Sequence, residues 1–134
     1  MKHEMTAVVC AIITNYKGQV FAARRAEGKS YEGYWEFPGG KLEEGELPEE
    51  ALERELREEL SVGIKKFTFL EAVEWSNKTG SFKLSAFVCK SDLEGIHLVD
   101  HDQWAWFEFE DLIDLEMMVA DLAFLPHLER YLNA

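Results

Sequence analysis

Three glutamates, Glu55, Glu58 and Glu59, stand at i, i+3 and i+4 in a stretch dense in leucine, glutamate and arginine. On a helix such positions share one face, within an arc of about 100°. Like charges at that spacing cost roughly 0.2–0.5 kcal/mol per pair. A bound cation would reverse that cost, and clustered carboxylate oxygens suit a hard ion such as Mg²⁺ or Mn²⁺. The competing reading is a solvated acidic face. Arg54 adjoins the cluster and can pair with Glu50 or Glu58 at helical spacing. Gly40 would let the backbone approach an ion or a phosphate closely. Lys41 is either a phosphate contact or an ordinary exposed lysine.

Residues 40–62 resemble the signature of the Nudix hydrolases, G-x5-E-x7-R-E-U-x-E-E-x-G-U, where U is bulky and apolar. Gly40 and Glu46 match the first glycine and glutamate. Arg54, Glu55 and Leu56 match R-E-U, Glu58 and Glu59 match E-E, and Val62 matches the last U. Ser61 stands where the family has glycine, which bears on the helix end and not on the ligands. The resemblance implies that Glu55, Glu58 and Glu59 bind divalent cations bridged to substrate phosphates, with Gly40 beside them. It implies that Glu55 or a neighbour takes a proton from the attacking water, and that Arg54 orients the catalytic glutamate. Glu55, Glu58 and Arg54 are therefore the catalytic candidates.

The likeness reaches further along the chain. Trp35-Glu36-Phe37-Pro38-Gly39-Gly40-Lys41 resembles the MutT branch, the nucleoside-triphosphate pyrophosphohydrolases, and Arg24-Arg25 fits the same branch. Arg25 is then a phosphate contact, against the alternative of a surface charge. Phe37 either stacks on a base or packs in the core. Asp100-His101 followed by Trp106 resembles a second family pattern, Glu-His-x4-Trp. It makes Asp100 a further metal ligand, one methylene shorter than the family's glutamate, with Asp102 competing. His101 and Trp106 are read as structural. Asp121 aligns with the place where MutT relatives set an Asn or Asp against the base. An ionised aspartate only accepts hydrogen bonds, which suits guanine or cytosine; the alternative is a helix N-cap.

The elements that must position these residues follow from patterning. Residues 5–14 form a β-branched apolar run, read as a buried strand. The turn Asn15-Tyr16-Lys17-Gly18 leads into a return strand over 19–25, then a loop over 26–33. Pro48 opens a helix over 48–60, with Leu47 a poor N-cap. Leu52, Leu56 and Leu60 form a stripe beside the glutamates, which puts the carboxylates at the margin of core and solvent. Residues 62–75 and 82–90 read as strands joined by Asn77-Lys78-Thr79-Gly80, and 103–108 as a short strand. Residues 118–132 read as helix with a break at Pro126. Mixed helices and hairpins indicate α/β or α+β. The resemblance sharpens this to a Nudix fold, a mixed sheet between helices, in one domain over 1–134.

The chain has 134 residues, 47% of them hydrophobic, and a net charge of −12. That balance argues against nucleic-acid polymers and anionic membranes as partners. A small polyphosphate bridged by cations remains compatible. Cys10 and Cys89 lie in apolar runs and read as reduced core residues. Met-Lys-His-Glu-Met at the start is not the beginning of a signal peptide, and no run approaches a membrane span. The expectation is a cytoplasmic monomer or homodimer. The expected activity is Mg²⁺-dependent hydrolysis of (deoxy)nucleoside triphosphates to monophosphate and pyrophosphate, directed at oxidised nucleotides such as 8-oxo-dGTP or at cytidine nucleotides. The alternatives are Nudix hydrolysis of a dinucleotide or nucleotide sugar, and a binding module without turnover.

Overall fold

The computed structural model describes residues 5–134. The reading of the first four residues as free of a leader therefore lies outside the described residues. β1 (Met5–Thr14) and β6 (Gly80–Lys90) form the centre of the sheet and pair in parallel, from Met5↔Ser81 to Thr14↔Lys90. β2 (Val20–Arg25) returns beside β1, and β5 (Thr68–Asn77) lies antiparallel beyond β6. The path runs β3-β2-β1-β6-β5; off it, β4 (Gly39–Lys41) pairs with β1 and β7 (His101–Phe107) with β2. β3 spans Trp35–Glu36.

β1 is apolar on both faces because both are covered. Val9, Ala11 and Ile13 pack under Leu52, Leu56 and Leu60 of helix α1 (Pro48–Leu60). Cys10 and Ile12, one residue out of phase, pack with Phe124, Leu125 and Leu128, which belong to α4 (Leu125–Leu132) and the residue before it. This period-two division is the signature of a strand in a three-layer sandwich. The three leucines of α1 are fully buried, and each contributes about 1.5–3 kcal/mol relative to exposure. Their stripe fixes the rotation of α1, and with it the direction of the glutamate face.

Four expectations need correction. Residues 62–67 are not strand; Val62 and Ile64 are buried against the α1 side of the core, so the segment packs by its side chains without a pairing neighbour. The C-terminal helix breaks at Ala123–Phe124, not at Pro126, which lies in the first turn of α4 and needs no N–H there. Leu47 has no capping side chain, but its N–H donates to Glu50 Oε1 at 2.8 Å, so the third helical residue supplies the cap. That use of Glu50 removes it as a partner for Arg54. A short helix α2 (Phe109–Leu112) precedes α3 (Val119–Leu122); four-residue elements are too short to leave a periodic signal.

Candidate active site

Arg54 organises the carboxylates. Its Nε and Nη2 donate to the two oxygens of Glu46 at 2.8 and 3.0 Å. Its Nη1 donates to Glu55 Oε1 at 2.9 Å and Glu58 Oε2 at 3.3 Å, and Nη2 also reaches the Lys41 carbonyl at 3.1 Å. Glu43, unremarked in the sequence, lies 3.0 Å from Nε. The forked guanidinium thus ties the 41–46 loop to α1. The hydrogen bond from Arg54 draws Glu46 down to about 2, helped by the Glu43 N–H.

Gly40 and Gly39 let β4 lie against both α1 and β1. A Cβ on Gly40 would fall on the Glu55 carboxylate, and one on Gly39 would overlap the Val9 carbonyl and Cys10 backbone. Burial raises the Glu55 carboxyl above its ordinary range despite Arg54. Glu59 is pushed up to about 8, first by burial and then by Glu55, Glu36 and Asp100. Its Oε2 is buried without a hydrogen-bond partner among the described residues. An orphaned oxygen among carboxylates fits a hard divalent cation. Among the described residues, however, no three such side chains already converge as a cage. Glu55 and Glu58 are turned to Arg54, and Glu58 is largely exposed.

A cleft of about 310 Å³ opens on the other side of β4, lined by Glu36, Gly39, Gly40, Lys41 and Asp121 among others. Asp121 is 6% exposed and its Oδ2 accepts the Phe37 N–H at 3.0 Å. Burial pushes its carboxyl to about 7, against the Phe37 N–H and reinforced by Glu36. The N-cap reading is corrected: Met118 holds that position, and Asp121 lies within α3. Phe37 is buried at 3% and belongs to the core cluster, with little of its ring free. Sequence reasoning missed Trp75 and Phe82, which line the same cleft. They face each other across the β5–β6 register with ring centroids 5.5 Å apart. Two aromatics flanking a predicted hairpin turn were the available signal.

The remaining candidates divide. Lys41 is exposed at the cleft. Asp100 is 3.2 Å from Lys29 Nζ and near enough to Glu59 to raise it. Asp102 is held by Arg24 through two contacts of 2.8 and 3.1 Å, which lower its carboxyl, so it does not compete with Asp100. Arg25, read as either a phosphate contact or a surface charge, donates through Nη1 to both oxygens of Glu36 at 3.1 Å and through Nε to the Ser30 carbonyl. Cys10 and Cys89 are buried free thiols, both pushed up by burial, Cys89 to about 12.

The family model described as "NUDIX domain" matches residues 4–128. The chain belongs to the NUDIX family. An 8-oxo-dGTP diphosphatase of Proteus vulgaris is 34% identical, the match covering 61% of this chain and 92% of that protein. An 8-oxo-dGTP diphosphatase of Escherichia coli is 40% identical over 68 residues, a match that spans only 53% of its length. The Escherichia coli CTP pyrophosphohydrolase is 29% identical over 129 residues, 96% of this chain and 93% of that protein. The solved structure of the MutT protein of Methanosarcina mazei Go1 superposes with a TM-score of 0.82 over 98% of this chain and 95% of that one, at 24% identity. The mixed sheet with helices on both faces is thus the NUDIX fold. Among the described residues no helix is long and apolar enough to cross a membrane.

Proposed function

We propose that this NUDIX protein is a divalent-cation-dependent hydrolase of nucleoside triphosphates, releasing pyrophosphate and the monophosphate. The observation that carries the reading is the continuity of the site across β4. Gly40 abuts Glu55 on one side and lines the Asp121 cleft on the other. A nucleotide with its base at Asp121 would run its phosphates past Lys41 toward the carboxylates.

In this reading Glu55, Glu58 and Glu59 would hold the cation, Mg²⁺ or Mn²⁺, and Asp100 would complete the set. When bound, such an ion supplies neutralisation of charge on the phosphate oxygens and a more acidic water. Water attacks a phosphorus, the bridging P–O bond breaks, and the water proton passes to a carboxylate, Glu55 or Glu58. Arg54 keeps Glu55 oriented and opposes the upward pull of burial on its carboxyl. Asp121 accepts hydrogen bonds from the base, and Trp75 with Phe82 offers it an apolar wall. The names of the relatives, 8-oxo-dGTP diphosphatase and CTP pyrophosphohydrolase, fit an acceptor that reads guanine-like or cytosine donors.

The test is pyrophosphate release in Mg²⁺ across the common and oxidised nucleoside triphosphates, with a diadenosine polyphosphate, NADH and ADP-ribose alongside. Release from one or a few triphosphates is expected. Cleavage of only the other compounds would move the substrate class, and silence on all would leave a binding module. Asp121→Ala should reorder the bases more than it weakens triphosphate binding. An unchanged ranking would remove Asp121 from the base site.

A further inference from the structure

Glu36 received no role from the sequence, yet at the wall of the cleft it joins three strands. Both of its oxygens accept from Arg25 Nη1 at 3.1 Å, and its Oε2 lies 2.8 Å from His101 Nε2. The three side chains come from β3, β2 and β7. The His101 side chain is only 2% exposed, and its Nδ1 has no partner among the described residues, so Glu36 is the polar anchor of that ring. The β2–β7 register shifts between Arg24 and Arg25, and the shift sets Arg25 opposite His101. Arg24 pairs instead with Asp102.

Asp100 is bracketed by these contacts. On its N-terminal side the Val99 N–H donates to the Glu59 carbonyl at 3.2 Å, and the His97 N–H to the Leu60 carbonyl at 2.9 Å, docking the segment on the end of α1. The Asp100 carbonyl accepts the Ala26 N–H at 3.3 Å. On its C-terminal side the His101 ring is held by Glu36. Lys29, the only ion-pair partner of the Asp100 carboxylate among the described residues, is half exposed and imposes little order.

We propose that Glu36 is a positioning residue: by clamping His101 and Arg25 together it sets the Asp100 carboxylate beside Glu59. The inference rests on the reading that Asp100 joins Glu55, Glu58 and Glu59 around the cation. Groups that orient a ligand through a second contact typically cost about 10–100-fold in metal affinity when removed.

The experiment measures Mn²⁺ binding by electron paramagnetic resonance without nucleotide, then the Michaelis constant for a triphosphate at saturating Mn²⁺. Glu36→Gln, Arg25→Gln, their double variant and Asp100→Asn are compared, with circular dichroism as the check on folding. Glu36→Gln and Arg25→Gln should each weaken Mn²⁺ binding by about 10-fold or more, and the double variant should be scarcely worse than either, as expected of one shared unit. In both, Mn²⁺ affinity should fall by a larger factor than the Michaelis constant at saturating Mn²⁺ rises. If Asp100→Asn weakens Mn²⁺ binding while Glu36→Gln does not, the positioning role is overturned and the ligand reading stands. If Asp100→Asn leaves binding intact, both are overturned. A raised Michaelis constant in Arg25→Gln with normal Mn²⁺ binding would return Arg25 to the phosphates. Should Glu36→Gln fail to fold, Arg25→Lys carries the same comparison, since it keeps the charge and loses the fork.

Discussion

Glu58 holds its carboxylate on the exposed side of α1, with Arg54 as its sole hydrogen-bond partner among the described residues, at 3.3 Å. An exposed pair of that kind is worth about 0–1 kcal/mol, so Glu58→Gln should leave the melting temperature nearly unchanged. Turnover should fall by about 10²–10⁴-fold, the range for losing a group that handles a proton or charge in the transition state. Near-normal turnover would take Glu58 out of the chemistry. At this scale the sequence was most informative where spacing is enforced by a helix. Glu55, Glu58 and Glu59 share one face as the i, i+3, i+4 pattern requires, and Arg54 meets Glu58 at i, i+4. It was least informative where partners come from distant strands: nothing in the order of residues shows that Glu36 will meet His101, 65 positions later.

Helix α1 ends at Ser61, whose φ of 60° and ψ of 31° are left-handed. A side chain there costs roughly 1–2 kcal/mol, partly offset by the greater unfolded-state freedom of glycine. Ser61→Gly should therefore raise stability by about 0.5–1 kcal/mol in urea unfolding; a loss would mean the helix end depends on the hydroxyl. The opposite change is severe at Gly39. Its Cβ would meet β1 backbone, which cannot move aside as a side chain can. Gly39→Ala should cost about 2 kcal/mol or more and loosen the Gly40–Glu55 contact, lowering turnover as well; an unaltered unfolding midpoint would show that β4 can shift freely. The bounds of β1 and α1 were legible, because a two-sided apolar run and a Pro-led leucine stripe are strong local signals. The pairs β3 and β4 were not, since two- and three-residue strands exist only through the partners they find.

Asp121 joins two halves of the molecule, accepting from Phe37 between β3 and β4 while seated in α3. Burial raises it to about 7 in the folded chain, whereas an unfolded aspartate titrates near about 3.9. Between those values the folded state keeps a proton that the unfolded state has lost. This group's contribution to stability therefore falls as pH rises from about 4 to about 7, by at most about 1.4 kcal/mol per pH unit, and is level above. Asp121→Asn removes that slope. The unfolding free energy of the variant minus that of the parent should climb across this window and then flatten. A difference independent of pH would show that Asp121 titrates as it does in water. The mixture of hairpins and helices gave α/β or α+β and the family resemblance narrowed it to the sandwich, but the pairing of β1 with β6 was not legible, because parallel partners carry no turn between them. That pairing shapes how the chain acquires its structure. Thr14 and Cys89, 75 residues apart, share a hydrogen bond at the end of the central ladder. At about 5–20 residues per second on the ribosome, β1 waits several seconds for its partner. Throughout that delay β2 and β4 can close one edge of β1, while the edge that will meet β6 stays open along an apolar, β-prone run. The central ladder is thus the part of the sheet that synthesis closes late, and the edge of β1 facing β6 is the one left open longest.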